Sequence, residues 1–433
     1  MRSLSDTIFQ TWRKISSSIA FYPAIISFLS ILIAYLSIRL EWVGASSYLE
    51  EKFPILVVKN AETARVLLST FISGIITLTV FSFTMVMVIL NQAAGRYSPR
   101  LLPGLITDKT HQIVLGVYIG TIVYCTIVMR YIQPETAAYQ LPGFSIMLAI
   151  IGTLTCIALF VFFIHNISLK IRVEYILNEI FIKNERSMLN LRDLQTEMPE
   201  APLVPTLAAK IYYRESGALY FRSFHTGDLP RHDASEPEWI EVLPARGAFL
   251  HPEDALLLTS EKLKESIGED TGSLFTFDQT PYESPNLNDG FRQVSEIITK
   301  AMSPGINDPG TALDAIDTLG KLLYIRLQLS DRWFETTGKN QYILIKHIKH
   351  FDDLLFDIMA PIRLYCKENV IVVTKLIRML SFLEKHPDCS FTYRKIISNE
   401  KRALFEESKQ TLQMEWDEKF LKKVYAANAL DAS

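Results

Sequence analysis

Four stretches near the N-terminus, residues 21–38, 66–95, 112–129 and 136–164, contain no Asp, Glu, Lys, Arg or His. A helix needs about 20 predominantly apolar residues to cross a bilayer, so each run predicts a membrane span. The same absence limits the chemistry. Ion-coupled pumps and proton relays place ionisable side chains inside the membrane, and these four spans offer none.

Composition becomes informative once the chain is divided. A hydrophobic share of 49%, a charged share of 21% and a net charge of -3 would suit a soluble protein, but the average hides two unlike parts. Most of the charge follows Lys170. The expected fold is a mainly α membrane protein: four N-terminal transmembrane helices, then a cytosolic region with a small β domain and a C-terminal helical domain. The expected boundaries are an interfacial segment over 1–20, the four-span domain over 21–170, an exit helix and linker over 171–204, the β domain over 205–280 and the helical domain over 281–433.

Orientation follows from flanking basic residues. Arg2, Arg13 and Lys14 precede span one; Arg96, Arg100 and Lys109 lie between spans two and three; Lys170 and Arg172 follow span four. The loop after span three has only Arg130. Both termini are therefore expected in the cytosol of a bacterial cell, with the spans in the inner membrane. Residues 39–65 go against this pattern, since they hold Arg39, Lys52, Lys59 and Arg65 on the side assigned outside.

Span two is the least ordinary. Thr70, Thr77, Thr84 and Asn91 recur every seven residues, with Ser69 and Ser73 near the same face. A seven-residue repeat keeps one stripe facing a neighbour in a left-handed bundle. Two readings fit. In an oligomer the stripe Thr70, Ser73, Thr77, Thr84 and Asn91 would line a water-filled path, with Gln92, Arg96 and Arg100 at its cytosolic mouth or on anionic lipid headgroups. Otherwise the hydroxyls bond their own helix or pack against neighbouring ones. In span three, Gly116 and Gly120 have the spacing that lets two helices approach closely, within one subunit or between two.

Beyond the membrane, KIRVEYILNEIFIKNERSMLNLRDL has a helical pattern and ends in the proline-bearing TEMPEAPLVP. KIYYRESGALYFRSF alternates aromatic and polar residues around a Ser-Gly turn, as a hairpin does. The β region has no Gly-rich phosphate loop, nucleophile elbow or HExxH spacing, so its expected role is interaction or assembly. In the last third, FRQVSEIITKAM reads as a helix stopped by Ser303-Pro304-Gly305, and Asp308 and Pro309 suit the cap and first position of the next. Amphipathic helices are expected over 341–386 and 391–425. Cys125, Cys156, Cys366 and Cys389 show no closely spaced pair and are read as packing residues.

Several of these segments, in this order, carry a resemblance: SFTMVMVILNQAAGRYSPRLL, VLGVYIGTIVY, the ARGAF turn and GFRQVSEIITKAMSPGINDPGTALDAID. The chain resembles the bacterial predicted integral membrane proteins grouped as a domain of unknown function with an SPGxNDP signature. The resemblance covers most of residues 15–330. It implies a cell-membrane protein with four N-terminal spans and a cytosolic region, and it implies no catalytic residues. Pro252-Glu253 stands where that family usually has a second glycine after the turn, and Asp289-Gly290-Phe291-Arg292 replaces Phe-Gly. Those departures argue against a ligand at the turn.

Arg292, Ser303, Gly305, Asn307 and Asp308 form the candidate regulatory turn, with Arg292 positioned to brace it. Asn307, Asp308, Asp314 and Asp317 could hold a divalent cation, the nearby helix N-terminus an anion; a tight capped turn explains the same residues without a ligand. An oligomeric channel accounts for the uncharged polar stripe, and a membrane-anchored sensor or scaffold accounts for the large charged region. No nucleophile, base and metal set converges, so neither enzymatic activity nor a cofactor is expected. The expected partners are the lipid bilayer with its anionic headgroups and further copies of the chain, and no nucleic acid.

Overall fold

A computed structural model of the chain describes residues 20–52, 58, 60–96, 109–132, 141–170, 172–196, 207, 209–214, 217–227, 229–230, 237–268, 274–279, 287–337 and 342–428. The chain divides into two units, Met1–Tyr175 and Ile176–Ser433. The expected interfacial segment and Arg100 lie outside the described residues.

The first unit is a helical bundle. Its helices are α1 (Phe21–Glu41), a short α2 (Ala45–Lys52), α3 (Ala61–Arg96), α4 (Lys109–Tyr131) and α5 (Gly143–Lys170). α1, α3, α4 and α5 are each long and apolar enough to cross a membrane, matching the four charge-free runs. The helices overrun those runs because backbone bonding continues into the polar flanks. At 36 residues, α3 is about 54 Å long, well beyond the hydrocarbon thickness of about 30 Å.

Close packing between α1 and α4 rests on the two glycines. A Cβ on Gly116 would stand 2.6 Å from Ile26 Cδ1, and one on Gly120 would overlap Ser30 Oγ. The spacing read as a helix-contact motif therefore serves a contact within one subunit.

One end of the bundle is tied by polar groups. The Ser145 backbone N–H donates to Glu41 Oε1 at 2.9 Å, so the carboxylate at the end of α1 sits on the first turn of α5. Tyr124 Oη donates to Ser145 O at 3.0 Å. Arg65 Nη2 donates to Ile132 O at 2.9 Å, just past the end of α4. Arg65, which goes against the basic-residue pattern, is thus occupied with the carbonyl end of a helix, where a cation is favoured.

In the second unit α6 (Val173–Thr196) leads the chain onward, burying Ile176, Leu177, Ile180, Asn184, Met188 and Leu191 along one stripe. Six strands follow: β1 (Ala209–Tyr212), β2 (Leu219–Phe224), β3 (Glu238–Val242), β4 (Phe249–Leu250), β5 (Ala255–Thr259) and β6 (Phe275–Asp278), with α7 (Glu261–Ile267) between the last two. Then come α8 (Leu287–Ala301), α9 (Pro309–Leu327), β7 (Arg332–Thr337) and β8 (Tyr342–His347). Four helices end the chain: α10 (Phe351–Cys366), α11 (Val370–Lys385), α12 (Phe391–Thr411) and α13 (Glu415–Ala427).

The strands form a five-stranded sheet in the order β1-β5-β3-β8-β7 and a three-stranded sheet in the order β4-β2-β6. β3 and β8 run parallel, Glu238 opposite Tyr342 through Glu241 opposite Ile345, while the other pairs are antiparallel. Ile211, Tyr213, Phe221, Ile240, Leu257, Phe275 and Leu344 share one buried core.

This corrects two boundaries. The helix expected from residue 341 is a strand at 342–347, and the β region does not end at 280, because β7 and β8 complete the larger sheet. YILIKH is a short apolar run, for which periodicity cannot separate helix from strand; the β-branched and aromatic residues and the partner β3 decide it.

Candidate functional site

The stripe on span two faces away from its own bundle. α3 buries Ala61, Ala64, Leu68, Ile75, Ile89 and Leu90, whereas Thr70, Ser73, Thr77, Thr84, Asn91 and Gln92 are exposed. Three hydroxyls are already bonded along the helix: Thr70 Oγ1 donates to Val66 O at 2.8 Å, Thr77 to Ser73 O at 2.9 Å and Thr84 to Val80 O at 2.8 Å. Gly74, on the same exposed side, has nothing within 4 Å of a built Cβ. Arg96 ends α3.

The SPGINDP turn closes on itself. The backbone N–H groups of Ile306 and Asn307 both donate to Ser303 O at 3.0 Å, and Asp308 N donates to Ala301 O at 2.7 Å. Ser303 Oγ returns to Lys300 O at 2.7 Å. Asn307 takes a left-handed φ of 47°, which Asn tolerates better than most residues. Asp308 caps α9 by accepting from Thr311 N at 3.1 Å, with Pro309 at the first position. Gly305 is exposed.

The cation reading of this turn finds no geometry. Asp308 is engaged with Thr311, and Asp317 pairs with Lys375 Nζ at 2.5 Å. Among the described residues no group of three or more His, Cys, Asp or Glu could hold a metal. Arg292 does not brace the turn either. It lies near the opposite end of α8, where Nη2 donates to Asp289 Oδ1 at 2.9 Å.

What Arg292 does border is a cleft of about 760 Å³ inside the second unit, a volume within the usual range for small-molecule sites. Three distant segments form its walls: the ARGAF turn after β3, the first half of α8, and the stretch from the end of β8 into α10. It opens at the carboxyl ends of the parallel pair β3 and β8, where Glu241 Oε1 and His347 Nε2 are 2.9 Å apart. Arg332 Nη2 stands 3.5 Å from the same Glu241 oxygen. Lys349 pairs with Asp357 across the mouth. Gly247 supplies the left-handed residue, φ 85°, that turns the ARGAF loop back, and its N–H donates to Phe221 O at 2.7 Å.

The floor of the cleft is fixed by packing. Ser295 Oγ donates to Ile358 O at 3.0 Å, joining α8 to α10. Behind α8, Gly290 meets Asn184 of α6 so closely that any Cβ would overlap the carboxamide. Sequence reading missed this site because its walls lie about a hundred residues apart. The usable signal was the charge-bearing Arg246 and Arg292 inside two of the motifs that carry the family resemblance.

The description predicted membrane protein (DUF2254) belongs to a family that matches residues 16–381. Among curated proteins, "Uncharacterized protein MT1328" of Mycobacterium tuberculosis (strain CDC 1551 / Oshkosh) is 23% identical over 338 residues, covering 73% of this chain and 63% of its own length. "Uncharacterized protein Mb1321c" of Mycobacterium bovis and "Uncharacterized protein Rv1290c" of Mycobacterium tuberculosis strain H37Rv match with the same identity and coverage. The chain therefore spans less than two thirds of the length of these relatives. No solved structure matches it. With four membrane-length helices and a family match over most of its residues, this chain is a membrane protein and belongs to the DUF2254 family.

Proposed function

We propose that this chain is one subunit of a homo-oligomeric channel in a bacterial inner membrane, with span two at the axis and both termini in the cytosol. The observation that carries the reading is the orientation of α3: Thr70, Ser73, Thr77, Thr84 and Asn91 are all exposed by the bundle that buries the helix's other face. A seven-residue repeat is the spacing that keeps such a stripe on a symmetry axis. Uncharged hydroxyls suit passive conduction. The basic residues Arg96, Arg100 and Lys109 support a cytosolic mouth, where Arg96 and Arg100 would meet anionic headgroups.

A membrane-anchored sensor or scaffold is the second reading, favoured by the bonds that Thr70, Thr77 and Thr84 make to their own helix. Hydroxyls satisfied in that way need no water-filled path. Planar-bilayer currents from purified protein separate the two. A channel gives unitary currents that Thr77→Leu or Thr84→Leu reduces; a scaffold is silent in all three forms while remaining folded and membrane-inserted.

A further inference from the structure

We infer that the cleft between the ARGAF turn, α8 and α10 is a binding site for a small phosphoryl oxyanion of mononucleotide size. The inference is independent of the pore, because the cleft lies wholly within the second unit. Its shape comes first: about 760 Å³, walled by a sheet edge and two helices that Ser295 locks together. A site of that size takes a ligand larger than a lone ion.

Its chemistry is divided between two sides. Arg246, exposed at the tip of the ARGAF turn, and Arg292, on α8, bring two guanidinium groups to one cavity. The Arg292 group makes one ion pair, to Asp289, and its Nε–H is buried with no acceptor. A phosphoryl oxygen supplies that acceptor, and a guanidinium's fixed fork suits it better than an ammonium would.

On the facing wall α10 presents acceptors. Asp353 and Asp357 lie one turn apart there, and Pro361, having no N–H, leaves the Asp357 carbonyl without its helical donor. Hydroxyl or amino groups on the distal part of a ligand meet these oxygens. Leu354 and Ile358 supply the apolar surface between the two sides. Basic groups at one end, oxygen acceptors at the other and an apolar middle match a nucleoside phosphate; the phosphate of an anionic lipid headgroup presents the same oxyanion.

Calorimetric titration of the full-length protein in a neutral detergent tests this with two probes, ADP and short-chain phosphatidylglycerol. Saturable binding of ADP assigns the site to a soluble phosphate, and saturable binding of phosphatidylglycerol assigns it to a headgroup. In either case Arg292→Gln weakens binding about tenfold or more, as loss of a charge-assisted hydrogen bond requires. Arg246→Gln, at an exposed turn tip where the fold is not at stake, weakens it similarly, and Arg378→Gln on the exposed face of α11 leaves it unchanged. No saturable binding of either probe, or binding that Arg246→Gln and Arg292→Gln leave intact, overturns the inference.

Discussion

Gly290 of α8 lies directly on the side chain of Asn184 of α6, with no room for a Cβ between them. Asn184 is held there by its own helix, Nδ2 donating to Ile180 O at 2.7 Å. The first turn of α8, which carries Asp289 and Arg292 into the cleft, is therefore seated on the helix that begins just after span four. Gly290→Ala forces the two helices apart and should destabilise the protein by about 1–3 kcal/mol, the usual cost of overpacking. Thermal unfolding checks this, and Asn184→Gly in the same chain should restore part of the loss.

The glycines of α4 give a matching prediction inside the membrane. Gly120→Val drives a side chain into Ser30 and should reduce the yield of monodisperse protein in detergent, whereas Gly74→Ala, into open space, should not. Size-exclusion profiles of the two variants, purified side by side, decide it. Equal yields would mean that α1 and α4 do not depend on this contact.

Asp331 makes stability depend on pH. Burial acts to raise its pKa, but the hydrogen bond and charge of Arg326, the Tyr393 hydroxyl at 2.8 Å and the Phe351 N–H at 3.2 Å outweigh burial and hold it below the ordinary value. A depressed carboxyl contributes its stability above the unfolded pKa of about 3.9 and loses it as pH falls through the folded value. Asp331→Asn should therefore lower the melting temperature at pH 6 to 8, and the gap to the unaltered protein should close below about pH 4. At neutral pH the cost should be about 3 kcal/mol, because Arg326 is left buried without its counter-charge.

A second buried pair, Glu384 of α11 with Lys401 of α12, is almost wholly excluded from solvent. Lys401 Nζ also donates to Asn428 O at 3.1 Å, fastening the end of α13 to the bundle. Lys401→Met should destabilise by about 3–5 kcal/mol by stranding the carboxylate, and adding Glu384→Leu should recover most of it. Chemical denaturation of the single and double variants measures both. An additive double variant would show that the two groups do not act as a pair.

Cys366 tests the packing reading of the cysteines. It is fully buried, and burial pushes its thiol up to about 12. In the folded protein at pH 8 it should resist a thiol alkylating reagent, and denaturant should expose it; mass spectrometry of the labelled peptide reads the difference.

The membrane half was legible in the sequence because its cause is local: a run of uncharged residues long enough to span lipid must satisfy its backbone internally, and a helix does so. The SPGINDP turn was legible for the same kind of reason, since Asp308 and Pro309 cap and start α9 through bonds within a few residues. Tertiary structure alone decided which partner Gly116 and Gly120 touch, and that the Thr70 to Asn91 stripe points away from the bundle. It also turned YILIKH into a strand by giving it β3 as a neighbour, and it gathered Arg246, Arg292 and Asp353 around one cleft. Those outcomes depend on pairing and packing between segments far apart in the chain, which no local pattern of residue types specifies.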